Sequence, residues 1–155
     1  MARDRLLRTI AVTAFAVFLI DRVTKWWVVE ALDLASRLRI DVAPPYLNLV
    51  MAWNTGINFG LGSGAPDMFR WVLVAVAFAI CAALLFWVLR WKKAHIATAV
   101  GVVIGGAVGN AWDRVQYGAV ADFLNMSCCG IVNPYAFNVA DIAIFLGAVV
   151  IALRA

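Results

Sequence analysis

The segment GGAVGNAWDRVQYGAVADF at residues 105–123, followed after a short loop by FNVAD at residues 137–141, decides how this chain folds. It lies between long apolar segments, yet it carries three of the chain's nine acidic residues: Asp113, Asp122 and Asp141. Each falls at or just outside the end of a hydrophobic run. A carboxylate near hydrocarbon is costly, from ~2.5 kcal/mol upward at mid-membrane, so ionisable groups in such places point to function by default. Structural explanations exist for some of them. Asn138 reads as a helix N-cap with Asp141 at the third helical position, favourable near the positive end of the helix dipole. Asn110 and Arg114, at i and i+4, read as the finish of a helix. Asp122 is harder to explain this way, because Val120 and Phe123 around it imply a partly buried turn.

Composition sets the setting. The chain has 155 residues, of which 65% are hydrophobic, and a mean hydropathy of +0.91. That belongs to a compact multi-span membrane protein and excludes an ordinary water-soluble domain. The net charge of +4 is modest, and no basic run with interleaved aromatics suggests nucleic acid. Three cysteines, Cys81, Cys128 and Cys129, are too few and wrongly spaced for a disulfide scaffold or a zinc site. His95 alone cannot build a histidine metal centre, so neither metal nor cofactor is expected.

Four apolar runs, at about residues 9–29, 68–91, 96–113 and 138–153, are the expected spans, since ~20 helical residues cover the ~30 Å hydrocarbon core. The basic head, Arg3, Arg5 and Arg8 against Asp4, also fits a cleaved signal peptide. No small-x-small site follows it, however, and Asp21-Arg22 runs on into another apolar turn, so the first run is read as a retained span. In the loop 33–67, Arg37, Arg39 and Asp41 alternate with Leu38, Ile40 and Val42, the period of a half-buried strand. Pro44-Pro45 breaks the pattern and Tyr46–Trp53 supplies a second strand. Asn54-Thr55-Gly56 is a turn, and Gly60, Gly62, Gly64 and Pro66 form a flexible exit. Gly101, Gly105 and Gly109 have the small-xxx-small spacing that lets helices approach closely in lipid. The expected fold is an all-α membrane protein: a single domain over 1–155, with four transmembrane helices and a small extracytoplasmic β-sheet between the first two.

Orientation follows from the basic residues. Arg3, Arg5, Arg8, Arg90, Lys92, Lys93 and Arg154 share one side, whereas the opposite loops set Arg37 and Arg39 against Glu30, Asp33, Asp41 and Asp67. The positive-inside rule then places both termini in the cytoplasm. Spans one and three run outward and span four inward. Asp21, Lys25, Asn110, Asp113, Arg114, Asp122, Asn138 and Asp141 therefore gather at one depth on the extracytoplasmic side. Asp21 and Lys25 at i, i+4 either neutralise each other or brace a site.

Two aspartates brought together at low dielectric cannot both ionise, and one keeps its proton. The ionised member can then take a proton from water while the protonated one polarises a carbonyl, the aspartic-protease arrangement. Other nucleophiles are missing. The sequence holds no G-x-S-x-G or S-x-x-K, no H-E-x-x-H, and no histidine on the side of Cys128 and Cys129 to activate them.

The motifs D-R-V-T-K (residues 21–25), N-T-G-x-x-F (54–59), G-N-x-x-D-R (109–114), V-x-D-F (120–123) and F-N-V-A-D (137–141) occur in this order over nearly the whole chain. Together they resemble the lipoprotein signal peptidases (signal peptidase II), membrane aspartic proteases of bacterial lipoprotein maturation. The resemblance implies that Asp122 and Asp141 are the catalytic pair. It further implies supporting or substrate-binding roles for Asp21, Lys25, Asn54, Gly56, Asn110, Arg114 and Asn138. Arg114 and Asn54 would hydrogen-bond the substrate backbone, Asp21 with Lys25 would brace the site, and Asn138 would orient Asp141. Asp113 is expected to serve structure beside Arg114. The implied substrates are prolipoproteins with a diacylglyceryl-modified cysteine, cut just before that cysteine in the bacterial inner membrane. Membrane lipid is then the other partner, and no obligate protein partner is expected. Three features have no counterpart in that picture: the glycine-rich Gly60-Leu61-Gly62, the pair Cys128-Cys129, and a cytoplasmic tail reduced to Arg154. Two other readings compete. A small transporter or channel subunit would spread its charges through the membrane depth, and a Mg²⁺-dependent lipid head-group enzyme would use Asp113, Asp122 and Asp141 as ligands.

Overall fold

The computed structural model describes residues 2–56 and 68–154. The glycine-rich exit at Gly60–Pro66 and Phe59 of the second motif lie outside the described residues. Four long helices and one small sheet make up the rest. They are α1 (Ala2–Lys25), α3 (Met68–Arg90), α4 (Ala97–Tyr117) and α5 (Val139–Arg154), with β1 (Arg39–Ala43), β2 (Leu47–Asn54) and β3 (Val120–Met126) in antiparallel order β1-β2-β3. A short helix α2 (Leu34–Arg37) joins α1 to the sheet.

Helix α4 is the central element, packed against α1, α3 and α5. Its glycines explain how closely. A methyl group on Gly101 or Gly105 would come within 2.8 and 2.5 Å of the Ile10 and Ala14 carbonyl oxygens of α1, and one on Gly106 within 2.6 Å of the Ala140 oxygen of α5. Backbone therefore lies against backbone, as the small-xxx-small spacing predicts. Because Gly101, Gly105 and Gly109 meet Ile10, Ala14 and Asp21 in that order, α1 and α4 run parallel. Gly147 of α5 meets Ala99 and Val103 while Ala140 meets Gly106, so α5 runs antiparallel to α4.

Two helices, Met68–Arg90 and Ala94–Tyr117, are long and apolar enough to cross a membrane. They differ in what surrounds them: 61% of the most apolar stretch of the latter is buried inside the protein against 11% for α3. Helix α1 has the length but carries seven basic and acidic residues near its ends, and α5 is 16 residues long.

The helix limits correct the sequence reading at several points. The basic head is helical, so α1 begins at Ala2, and it passes at Trp26 into a wider π-helical turn reaching Ala31. Arg37 closes α2 instead of opening a strand, because Asp33 and Leu38 on either side take left-handed backbone angles, φ 54° and 61°. Helix α4 runs to Tyr117, four residues past the expected end of the third span. It stops at Gly118, whose φ of +80° suits a glycine C-cap and whose N–H donates to the Arg114 carbonyl.

The largest correction concerns residues 120–126. The segment expected to be a turn around Asp122 is β3, so the sheet is not confined to the connection between the first two long helices. Strand β3 lies along β2 with Ala52 opposite Asp122 and Asn54 opposite Val120. Four consecutive residues, Val120–Phe123, are buried on both faces, so no polar/apolar alternation exposes the strand in the sequence. Leu49 and Phe123 of the sheet, with Val28 and Leu34 from the α1–β1 connection, form a small core of their own. A second core of Leu6, Ile10, Val88, Ile96, Ala97 and Val100 closes the other end of the helices.

Candidate active site

Three segments converge where α1, α4 and α5 meet the sheet. Asp122 comes from β3, Asp141 from the first turn of α5, and both are reached by asparagines. The loop between them folds back because Phe137 joins the free edge of β3. Its carbonyl accepts from the N–H groups of Phe123 and Leu124 at 3.1 and 2.8 Å, and its N–H donates to the Leu124 carbonyl at 3.0 Å. Asn125 pins the same loop by donating Nδ2 to the Asn133 and Tyr135 carbonyls, both at 2.8 Å. This pairing carries Asn138, the next residue, up to Asp122.

Asn138 is fully buried and links both carboxylates. Its Nδ2 donates to Asp122 Oδ1 at 2.6 Å. Its backbone N–H donates to Asp141 Oδ2 at 3.1 Å, while its Oδ1 accepts from the Asp141 N–H at 3.0 Å, a reciprocal cap of α5. Asn110 supplies the second link. Its Nδ2 donates to Asp141 Oδ1 at 2.9 Å, and its Oδ1 accepts from Asn138 Nδ2 and from Lys25 Nζ, both at 3.1 Å. With two donors on its oxygen, the Asn110 amide has one sensible orientation. Asn54, at the end of β2, donates Nδ2 to Asp122 Oδ2 at 3.1 Å.

Asp122 is only 3% exposed. Burial pushes its carboxyl up from 3.8 to about 7, and the nearby Asp141 charge pushes in the same direction. The hydrogen bonds from Asn54 and Asn138 and the charge of Lys25 oppose this. Near neutral pH, Asp122 is therefore balanced between acid and carboxylate.

Behind the asparagines lies a buried charge cluster. Asp21 and Asp113 are both 0% exposed. Lys25 Nζ reaches Asp113 Oδ2 at 2.6 Å and Asp21 Oδ1 at 3.1 Å. Arg22 Nη2 reaches Asp113 Oδ1 at 2.6 Å and Asp21 Oδ2 at 2.7 Å, with a further bond to the Gly109 carbonyl at 3.2 Å. Two acids face two cations, and Gly109 leaves the room: a methyl there would come 2.6 Å from Asp21 Oδ2. Asp113 also accepts from the Ala121 N–H at 3.2 Å, which ties the cluster to the strand that carries Asp122.

A match to the model of the family described as Signal peptidase (SPase) II covers residues 13–155. The chain belongs to the signal peptidase II family. It is accordingly a peptidase of a membrane-enzyme family. Among its relatives, the lipoprotein signal peptidase of Methylobacterium sp. (strain 4-46) is 41% identical over 135 residues, covering 87% of this chain and 81% of the relative. That of Sphingopyxis alaskensis is 37% identical over 155 residues, covering 99% and 88%. A bacterial membrane enzyme solved by the in meso method at 2.3 Å superposes with a TM-score of 0.76 at 25% identity, over 94% of this chain and 85% of that one.

In this family member the sequence-predicted residues Asp21, Lys25, Asn54, Asn110, Asp122, Asn138 and Asp141 form one connected hydrogen-bonded array. Arg114 stands at its edge, with Nη2 donating to the Gly56 carbonyl at 2.8 Å and Nη1 to the Asn110 carbonyl at 3.4 Å. Gly56 in turn donates its N–H to Asn54 Oδ1 at 3.1 Å, closing the turn after β2. Asp113 departs from expectation: its partners are Arg22 and Lys25 of α1, not the adjacent Arg114. Arg22 itself has no assigned role in the sequence reading. Its position next to Asp21, at the outer end of an apolar run, was the one available signal.

Proposed function

We propose that this chain is an aspartic endopeptidase that removes signal peptides from diacylglyceryl-modified prolipoproteins, cutting just before the lipidated cysteine at the outer membrane face. The observation that carries the reading is the Asp122–Asn138–Asp141 array, in which one asparagine holds both carboxylates and Asp122 is poised near neutrality. In this reading Asp122 holds the shared proton and Asp141 is ionised. Asp141 takes a proton from a water as its oxygen attacks the scissile carbonyl carbon, and Asp122 gives its proton to the carbonyl oxygen. The tetrahedral diol then collapses. Its C–N bond breaks, the amide nitrogen takes the proton from Asp141, and a hydroxyl proton returns to Asp122 as the carboxylic acid product forms.

Asn138 and Asn110 hold the pair at fixed geometry, and Lys25 orients Asn110. Arg114 and Asn54 lie where they can exchange their present partners for the substrate backbone. Two clefts at Asp141 suit the substrate's apolar parts. One of about 450 Å³ runs beside α5, lined by Tyr135, Phe137, Ile142, Phe145 and Leu146, and one of about 350 Å³ lies between α3 and α4, lined by Leu73, Val76, Ile80 and Ala107.

All four long helices span the membrane in this reading, with the array at the outer end. The basic residues support that sense. The Arg90–Lys93 turn and the Arg154 end of α5 sit together at the other end, where His95 meets the Arg154 carbonyl at 2.9 Å, and the positive-inside rule makes that end cytoplasmic. The rival readings fare less well. Ionisable groups of the helices collect at their ends instead of lining a path. Asp113 is taken up by Arg22 and Lys25, and among the described residues no group of three or more His, Cys, Asp or Glu stands close enough to hold a metal ion.

The test is cleavage of a purified lipid-modified prolipoprotein, with product masses read by mass spectrometry. The expected product begins at the lipidated cysteine, unmodified precursor is spared, and EDTA leaves the rate unchanged. Cleavage at another bond, or loss of activity in chelator, would count against the proposal.

A further inference from the structure

On the sheet face away from Asp122, a cleft of about 490 Å³ is lined by Trp53, Thr55, Arg70, Tyr117, Gly118 and Ala119. Successive strand residues point to opposite faces, so Trp53 looks into this cleft when its neighbour Asn54 looks toward the carboxylates. The cleft is distinct from the site described above.

Arg70 is its unusual member. Arg22, Lys25 and Arg114 are all hydrogen-bonded or ion-paired through their terminal nitrogens, but among the described residues the Arg70 guanidinium has no such partner; its Nε is buried without an acceptor, as are those of Arg22 and Arg114. A guanidinium presents five N–H donors in a planar fork, and leaving one buried and unpaired costs free energy unless a ligand supplies the acceptor. The fold nonetheless makes room for it. A methyl on Gly118 would come 2.8 Å from Arg70 Nη1, and Gly118 holds a φ of +80°. The Arg70 head lies 5.4 Å over the Trp71 ring, and the Trp53 and Tyr117 rings pair at 5.5 Å across the same cleft.

The surroundings point to the kind of acceptor. Arg70 lies in the first turn of α3, the helix whose apolar stretch is mostly unburied by protein and so faces lipid along its length. Its start is therefore at the membrane surface whichever way the protein is inserted. Half-exposed Trp53, Trp71 and Tyr117 are the residue types that settle at the head-group level. An arginine fork matches two oxygens of a phosphate, and the Thr55 and Tyr117 hydroxyls add donors at the rim.

We propose that this cleft binds the phosphate of a membrane phospholipid head group, with Arg70 as its principal ligand. Seating a lipid there ties the β2 end, and with it Asn54, to the bilayer surface. The inference does not depend on which residues cleave the substrate.

The test compares wild type with Arg70→Gln in neutral detergent. The added probes are dioleoylphosphatidylglycerol, dioleoylglycerol or inorganic phosphate, with binding read by native mass spectrometry and by the rise in Tm. Phosphatidylglycerol is expected to bind wild type at least ~10-fold more tightly than Arg70→Gln, the loss of one charge-assisted contact. Dioleoylglycerol, which has the chains but no phosphate, should not separate the two proteins. Inorganic phosphate distinguishes the sources: if it alone reproduces the Arg70-dependent rise in Tm, the site serves the free ion and the lipid assignment falls. Equal phosphatidylglycerol binding by both proteins overturns the proposal outright. Should Arg70→Gln not fold, Tyr117→Phe with Thr55→Val, which leaves the arginine in place, is expected to weaken the same binding, and no weakening would again overturn it.

Discussion

Replacing Asp122 by asparagine should stabilise the folded protein at alkaline pH while abolishing its proposed chemistry. The sign follows from the direction of the shift. The Asp122 carboxyl is raised from 3.8 to about 7 in the fold, so the folded state resists ionising it. Below pH ~4 the group is protonated in both folded and unfolded chains and costs nothing. As pH rises from there, the unfolded chain loses its proton first, and stability falls until the folded group ionises near pH 7. At about 1.4 kcal/mol for each factor of ten, the full displacement amounts to about 4 kcal/mol. This is an upper figure, because Asp122 and Asp141 titrate as a pair. About 3 kcal/mol of this falls between pH 4.5 and 8.5; for a chain of this size ~1 kcal/mol moves Tm by ~2–4 °C, so the gap between variant and wild type should widen by up to about 6–12 °C across that range. Asparagine also sets one amide N–H against Asn54, a constant cost that offsets the gap without changing its slope. The assay is thermal unfolding in detergent across that range. A gap that stays constant with pH would refute the reasoning, since Asp122 would then be an ordinary carboxylate.

Other consequences can be checked in the same preparation. Arg22→Gln leaves Asp21 and Asp113 with a single cation between them, and thermal unfolding should show a loss of ~3–5 kcal/mol; Arg22→Lys should recover part of it. Gly105→Ala drives a methyl onto the Ala14 carbonyl at 2.5 Å, so α1 and α4 must separate at a cost of ~1–3 kcal/mol by the same measurement. Asn54→Ala removes a hydrogen bond that holds the Asp122 carboxyl down. Its pH–rate profile should therefore shift to higher pH on the limb set by Asp122, with turnover lowered ~10-fold or more. An unshifted profile would place Asn54 outside the acid–base machinery.

Much of this architecture was legible in the residues because its signals are local. Four apolar runs give four long helices, three of them within about four residues at each end, while the first begins seven residues earlier, at Ala2. The glycine spacing in Gly101–Gly109 anticipates the backbone approach of α1 to α4, and the Asn138–Asp141 cap is a pattern spanning one turn. The two loop strands also show themselves, one by alternation in Leu38–Val42 and one by its flanking turn residues. What escaped depends on distant partners. Strand β3 exists because β2 offers it an edge, and Val120–Phe123 are buried on both faces, so neither period marks it. Asp113 was assigned to its chain neighbour Arg114, whereas its true partners stand some ninety residues away on α1. Arg22 went without a role for the same reason: apart from its place beside Asp21, its role is set by Asp113, and only helix packing brings the two together. The convergence of Asp21, Lys25, Asn110, Asn138 and Asp141 could be anticipated because helix direction alone places them at one end.

The central claim is that Asp122 and Asp141 act as one proton-sharing pair. It is tested most directly by single-turnover cleavage of a lipid-modified prolipoprotein by wild type, Asp122→Asn and Asp141→Asn, each confirmed folded by its Tm. Each substitution is expected to lower the rate by at least ~10²–10⁴-fold, the range for loss of a positioned acid or base, and the double variant should be no worse than either alone. Near-normal cleavage by either single variant would contradict the account.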